Sequence, residues 1–146
     1  MLVAHVMVGA PGSGKSTRAK ELALVSDSAI VCLDTLRGEL WGDESIQGSW
    51  GELHKLFKQR VAEVADSGRN IIIDATHARK RHRRATIELL RSENFRPIYC
   101  SIVHPLLEVC LAQNAARDRR VPQRVVIQMW ETINNNLNSI EKEFDN

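Results

Sequence analysis

The sequence predicts an α/β fold, a central parallel sheet of about four strands with helices on both faces. Three observations lead there. Short apolar runs alternate with stretches of helical period along the whole chain. One run, Asn70-Ile71-Ile72-Ile73-Asp74, is β-branched through its centre and suits a strand buried on both faces. Between an apolar run and a helix-like segment stands Gly9-Ala10-Pro11-Gly12-Ser13-Gly14-Lys15-Ser16, which matches G-x-x-x-x-G-K-[ST] without a gap.

The elements follow in order. Leu2–Val8 reads as the first strand, and a helix runs from about Gly14 to Val25. Ala29–Leu33 is the second strand. A short helix starts near Thr35 and stops before Gly42, and Gly42–Gly51 is a loop rich in Gly, Ser and Asp. Leu53, Leu56, Phe57, Val61 and Val64 recur at helical spacing, giving a helix over about Trp50–Ser67 that Gly68 stops. After the strand ending at Asp74 comes a helix near Lys80–Ser92, then a strand at Arg96–Val103. Pro105 opens a helix toward Arg117. Pro122 opens the last helix, whose apolar seam is Val126, Met129, Ile133, Leu137, Ile140 and Phe144. No repeat, linker or shift in composition divides the chain, so residues 1–146 read as one domain.

Composition limits the function classes. Hydrophobic residues are 43% and charged residues 26%, as in a globular protein. No apolar run approaches the ~20 residues that span a bilayer. The first strand starts so early that no cleaved leader is expected. Cys32, Cys100 and Cys110 have no metal or redox spacing and read as buried small hydrophobes in a reducing, cytoplasmic setting. The net charge of +2 is uninformative, but its distribution is not: Arg79–Arg84 and Arg117–Arg124 concentrate the positive charge.

The glycine-rich motif lets backbone N–H groups and a helix N-terminus face a phosphate chain. Lys15 then reaches the β- and γ-phosphates, and the Ser16 hydroxyl coordinates Mg²⁺. In an open α/β sheet, ligands gather at the carboxyl ends of strands, which draws in Asp34 and Asp74. Asp74 is placed to hold the metal. Ala75 stands where a motor ATPase carries a glutamate, and no N-K-x-D guanine reader occurs. These absences point from hydrolysis toward transfer to another acceptor. Asp34 suits a base for an attacking hydroxyl, and Arg37 a substrate phosphate. Arg117 is the first choice for an arginine that closes over the moving phosphoryl group, with Arg119, Arg120 and Arg124 as alternatives. Arg83, Arg84 and His77 are candidates to line or orient the site. Plainer roles stay open: a turn or helix cap for the aspartates and solvated basic faces for the arginines.

Together these residues resemble a P-loop kinase family of AAA type that includes the kinase domain of phage-type polynucleotide 5′-hydroxyl kinase. Members also occur as parts of RNA- and DNA-repair enzymes. The resemblance covers nearly the whole chain. It rests on Gly9–Thr17, Asp34 with Arg37, Ile72-Ile73-Asp74-Ala75-Thr76-His77, the Arg83-Arg84 pair, and Asn114-x-x-Arg117 before Val121-Pro122. It implies a P-loop NTPase three-layer sandwich with a small helical lid, and ATP and Mg²⁺ as cofactors. It also implies Asp34 as general base, Arg37 as acceptor-phosphate contact and Arg117 as transition-state arginine. Thr17 is then a further phosphate-site hydroxyl, and Thr76, His77 and Arg83 lie on the substrate side.

Cys32-Leu33, Gln113 and His77 stand where family members commonly carry other residues. The acceptor expected is a DNA or RNA 5′ end. A nucleoside or sugar acceptor is the second reading, and an ATP-binding regulatory module with little turnover the third.

Overall fold

Four stretches of residues 1–146 pair side by side in the computed structural model: β1 (Leu2–Val8), β2 (Ser28–Cys32), β3 (Asn70–Asp74) and β4 (Phe95–Ile102). Every pairing is parallel, and the order is β2-β3-β1-β4. Parallel neighbours need crossovers, and seven helices surround the sheet. They are α1 (Lys15–Ser26), α2 (Leu33–Trp41), α3 (Trp50–Asp66), α4 (Lys80–Ser92), α5 (Leu107–Ala115), α6 (Gln123–Asn134) and α7 (Leu137–Glu141).

The central strands are mostly apolar, and their side chains alternate between faces. Val6, Val8, Ile71 and Ile73 join one large core with Leu53, Phe57 and Val61 of α3, Leu90 of α4, Ile133 of α6 and Ile140 of α7. Met7 and Ile72 point the other way and pack with Ala19 of α1, with Leu22 and Ala23 alongside. A third cluster, Ala10, Cys110 and Val126, seats α5 and α6 against the loop that follows β1. The expected sandwich with helices on both faces is therefore present.

Strand register gathers chemistry at one rim. Cys32 pairs with Asp74, and Val8 with Ile102, so the carboxyl ends of the strands finish nearly level. The turns that follow them share that edge.

Several boundaries differ from the expectation. β2 ends at Cys32 rather than Leu33, because Leu33 already belongs to α2 and buries beside Leu36 one turn on. Asp34 is therefore not a strand end but a first-turn helix residue, where a carboxylate faces the positive end of the helix dipole. β4 begins one residue early, at fully buried Phe95. α5 stops at Ala115, so Arg117 lies in the turn beyond it. The last helix breaks after Asn134-Asn135-Asn136, a run of poor helix formers. Its seam survives the break: Val126, Ile133, Ile140 and Phe144 are all buried.

The last two residues lie along the outer edge of β4. The Asp145 N–H donates to Ile98 O (2.9 Å), and the Ile98 N–H to Asp145 Oδ2 (2.8 Å). The Cys100 N–H donates to Asn146 Oδ1 (2.7 Å), and Asn146 Nδ2 to Cys100 O (2.8 Å). No helix is long and apolar enough to cross a membrane.

Candidate active site

The loop between β1 and α1 is shaped by close backbone approach. Gly12 has φ +81°, and a Cβ there would collide with the Cys110 carbonyl of α5, so only glycine fits. Gly14 caps α1 in the left-handed region, with no side chain covering the helix end and no acidic residue in its first turn. The N–H groups of α1 and its positive dipole end are left for an anion. The Gly9 N–H donates to Thr76 O at 3.0 Å, which ties this loop to the turn after β3. Lys15 and Ser13 are buried.

Ser16 Oγ donates to Asp74 Oδ2 at 2.7 Å. The other Asp74 oxygen, Oδ1, is buried without a hydrogen-bond partner. A buried carboxylate oxygen in that state needs a cation or donor to offset its desolvation. The pair fits the Ser-and-Asp half of a Mg²⁺ site whose other ligands are phosphates and water. Nowhere do three or more His, Cys, Asp or Glu side chains gather as a metal cage. Next to Asp74, burial and the carboxylate push the Cys32 thiol up, so it stays protonated.

Asp34 is held from two sides. Arg37 NH1 donates to Oδ1 at 2.8 Å, and Arg119 NH2 to Oδ2 at 2.7 Å. Two clefts meet here. One, of about 530 Å³, is lined by Ser16, Lys20, Asp34, Asp74, Arg117 and Arg119 among others. The second, of about 650 Å³, takes in Lys15, Asp34, Arg37, Asp74, Thr76, Arg79 and Arg81. Asp34 and Asp74 are common to both, and each arginine on Asp34 belongs to a different cleft.

Arg117 and Arg119 come from the turn between α5 and α6. Buried Asn114 fixes that turn: its Oδ1 accepts from Arg117 NH2 (2.9 Å) and the Val121 N–H (3.1 Å), while its Nδ2 donates to Val121 O (2.8 Å). Burial, then the charge of Arg119, holds the Arg117 guanidinium below its ordinary value, against the pull of Asp34 and Glu44. Its Nε is buried without an acceptor. A bound anion would relieve both conditions. Arg120 makes only a 3.4 Å contact to Arg117 O, and Arg124 lies on α6 without an ion-pair partner.

One expected substrate contact takes another position, and a second lines the cleft with its ring already engaged. Arg83 turns inward and is 3% exposed. Its Nε and NH2 form a bidentate pair with Glu143 (3.0 and 2.8 Å), and NH1 donates to the carbonyls of His77 and Ala78 (3.0 and 2.9 Å). It braces the turn after β3 from behind. His77 is buried at φ +48°. Its Nδ1 donates to Met7 O (2.8 Å), so Nε2 accepts from the Thr86 hydroxyl (3.0 Å). Burial lowers its pKa to about 4, and both ring nitrogens are already committed. Thr76 and His77 both line the larger cleft. The ion pair of Arg119 with Asp34 is the less legible part, since nothing local marks a contact 85 residues away.

The AAA domain family matches residues 5–139. Among solved structures, a chain of the Pnkp1/Rnl/Hen1 RNA repair complex superposes with a TM-score of 0.81 at 19% identity, over 94% of this chain and 46% of that one. A second Pnkp1/Rnl/Hen1 complex gives 0.67 at 24% identity, covering 83% and 41%. A gluconokinase from Sinorhizobium meliloti gives 0.61 at 16% identity, covering 95% and 79%. This chain spans less than half the length of the repair-complex chains it matches. A chain of an RNA repair complex and a gluconokinase thus share this fold, and this chain belongs to the AAA domain family with the fold of a P-loop kinase.

Proposed function

We propose that this chain is a single kinase domain that transfers the terminal phosphoryl group of ATP to a hydroxyl, with a polynucleotide 5′-OH as the favoured acceptor. The observation that carries this reading is Asp34, a carboxylate at the junction of two clefts with a phosphate-binding loop beside it. A hydrolase needs no second cleft.

Gly9–Lys15 and the N–H groups of α1 hold the β- and γ-phosphates, with Thr17 alongside. Ser16 and Asp74 would hold Mg²⁺, which would supply charge neutralisation at those phosphates. The acceptor oxygen forms a bond to the γ-phosphorus as the bridge to the β-phosphate breaks, and ADP leaves. Asp34 takes the hydroxyl proton. Its carboxylate has about four lone-pair sites, so a hydroxyl can join without expelling both arginines. Arg37 and Thr76 face the acceptor. Arg117 meets the equatorial oxygens where charge spreads in the transition state. Arg83 acts behind the site and His77 at the cleft wall, and both hold the turn between β3 and α4.

The cationic wall of the larger cleft, Arg37, Arg79 and Arg81, supports a phosphate-bearing acceptor. A second reading, a sugar-type acceptor, is favoured by the gluconokinase likeness, which spans most of both chains. Labelled-phosphate transfer from ATP to 5′-OH DNA, 5′-OH RNA, nucleosides and gluconate separates the two. Transfer to an oligonucleotide that weakens steeply with salt supports the first reading, because phosphate contacts release counterions. Labelling of gluconate or a nucleoside alone replaces it with the second. If ATP binds and nothing is labelled, the catalytic reading fails.

A further inference from the structure

Trp50 opens α3 and is 47% exposed, although tryptophan is usually well buried. Its position is held. Ser49 caps the helix by accepting from the Glu52 N–H (3.4 Å). Gly48, at φ +54°, lies directly against the Trp41 indole, where no Cβ would fit. The loop is thus laid along α2 and delivers Trp50 to the rim of the larger cleft.

The Trp50 indole has company there. The His82 ring of α4 lies 5.9 Å away at 30°, and the His54 ring 5.3 Å away at 33°. His82 shares the cleft with Trp50, Arg37, Arg79, Arg81 and Asp34. Burial first, then the charges of Arg81, Arg79 and Arg37, lower the His82 pKa, so this ring is neutral near pH 7. The cleft therefore joins a flat aromatic rim to three guanidinium groups and the proposed base.

A sugar acid offers charge and hydroxyls but no flat face. A polynucleotide end offers a hydroxyl, a phosphodiester charge and a flat base within one or two residues. We infer that Trp50, backed by His82, is a stacking platform for a nucleobase near the 5′ end of a polynucleotide acceptor, while the cleft arginines take the adjoining phosphates. The inference rests on the kinase reading above and narrows its acceptor. Base–aromatic stacking tolerates every base, so the platform favours nucleic acid over other acceptors without selecting a sequence.

The test uses two 5′-OH oligonucleotides of equal charge, one intact and one abasic at its first two positions. With wild-type protein, the abasic oligonucleotide should raise KM roughly tenfold or more and change kcat little, as expected for loss of one stacked base. Trp50→Ala should raise KM for the intact oligonucleotide by a similar factor and show no further penalty on the abasic one. Trp50→Phe should keep most of the discrimination, and an unchanged KM for ATP should show that both variants are folded. Equal KM values for the two oligonucleotides with wild-type protein overturn the platform, whatever the variants do. So does an undiminished abasic penalty in Trp50→Ala. Absence of transfer to either oligonucleotide, with gluconate or a nucleoside labelled instead, shows that the polynucleotide reading itself has failed.

Discussion

The phosphate loop and the acceptor cleft are built in opposite ways. The loop is one continuous segment whose backbone does the work, pressed against Cys110 and tied to Thr76. The cleft is assembled from α2, the loop before α3, the turn after β3, α4 and α6, and side chains do the work. Buried, unpartnered polar atoms occur in both regions, at Ser13 Oγ of the loop and at Arg37 Nε of the cleft. Competing ion pairs mark the second, as on Asp34. Under the proposed reading, binding the donor rests on backbone shape, whereas choosing the acceptor rests on arginine and aromatic placement.

The sharpest way to break that division is to remove one charge from each half. Lys15→Ala is expected to lower transfer about 10³-fold and to weaken ATP binding, since it removes a donor aimed at developing phosphate charge. Asp34→Asn should lower transfer by about 10²- to 10⁴-fold with ATP affinity unchanged. Isothermal titration with ATP beside labelled-phosphate assays measures both. Weakened ATP binding in Asp34→Asn would show that the two halves are not separate.

Arg83→Ala tests whether the brace behind the turn is structural. Removing one partner of a buried bidentate pair leaves Glu143 and two carbonyls without donors, and should cost on the order of 3 kcal/mol in urea unfolding. A variant of native stability with impaired acceptor binding would instead return Arg83 to the cleft.

Acidification probes the same brace through His77. Its pKa is about 4 in the folded chain against 6.5 in the ordinary state, so the unfolded chain binds more protons between those values. Its contribution is fully present above about pH 6.5 and falls as pH drops, by about 3 kcal/mol at pH 4. His77→Gln should flatten the slope of urea midpoint against pH across this window. An equal slope in both proteins would assign the acid sensitivity elsewhere.

The smallest expected effect separates the two arginines of the lid turn. Arg117→Ala should slow transfer about 10²-fold. Arg119→Ala, which removes a partly exposed ion pair, should change stability by less than about 1 kcal/mol and transfer by less than about tenfold. Reversed magnitudes would move the transition-state role to Arg119.

Sequence reading was strongest where physics is local. β1 and β3 were legible to the residue, because apolar runs bounded by glycine or polar residues leave one solution. The loop was legible as a motif, because its chemistry is contiguous. The start of α2 was misplaced, since Leu33 suits a strand and a helix equally and only its burial beside Leu36 decides. Arg83 and His77 both follow the Asp74 strand in sequence, but what each side chain bonds is not written there. Their partners, Glu143 and the Met7 carbonyl, are set by tertiary packing and leave no local trace. Trp50 read only as the start of a helix, because its neighbour His82 lies 32 residues on in another helix.

The side chains and backbone laid along β4 have a consequence for solubility. A parallel edge strand presents unpaired N–H and C=O groups that can template pairing with a strand from another molecule. Asp145 and Asn146 occupy those groups at Ile98 and Cys100, and the Asp145 carboxylate brings a charge to that edge. Copies of this chain that met edge to edge at β4 would find the ladder positions taken and a negative charge in the way. Two residues remote from the phosphate loop thus occupy the pairing groups of that edge.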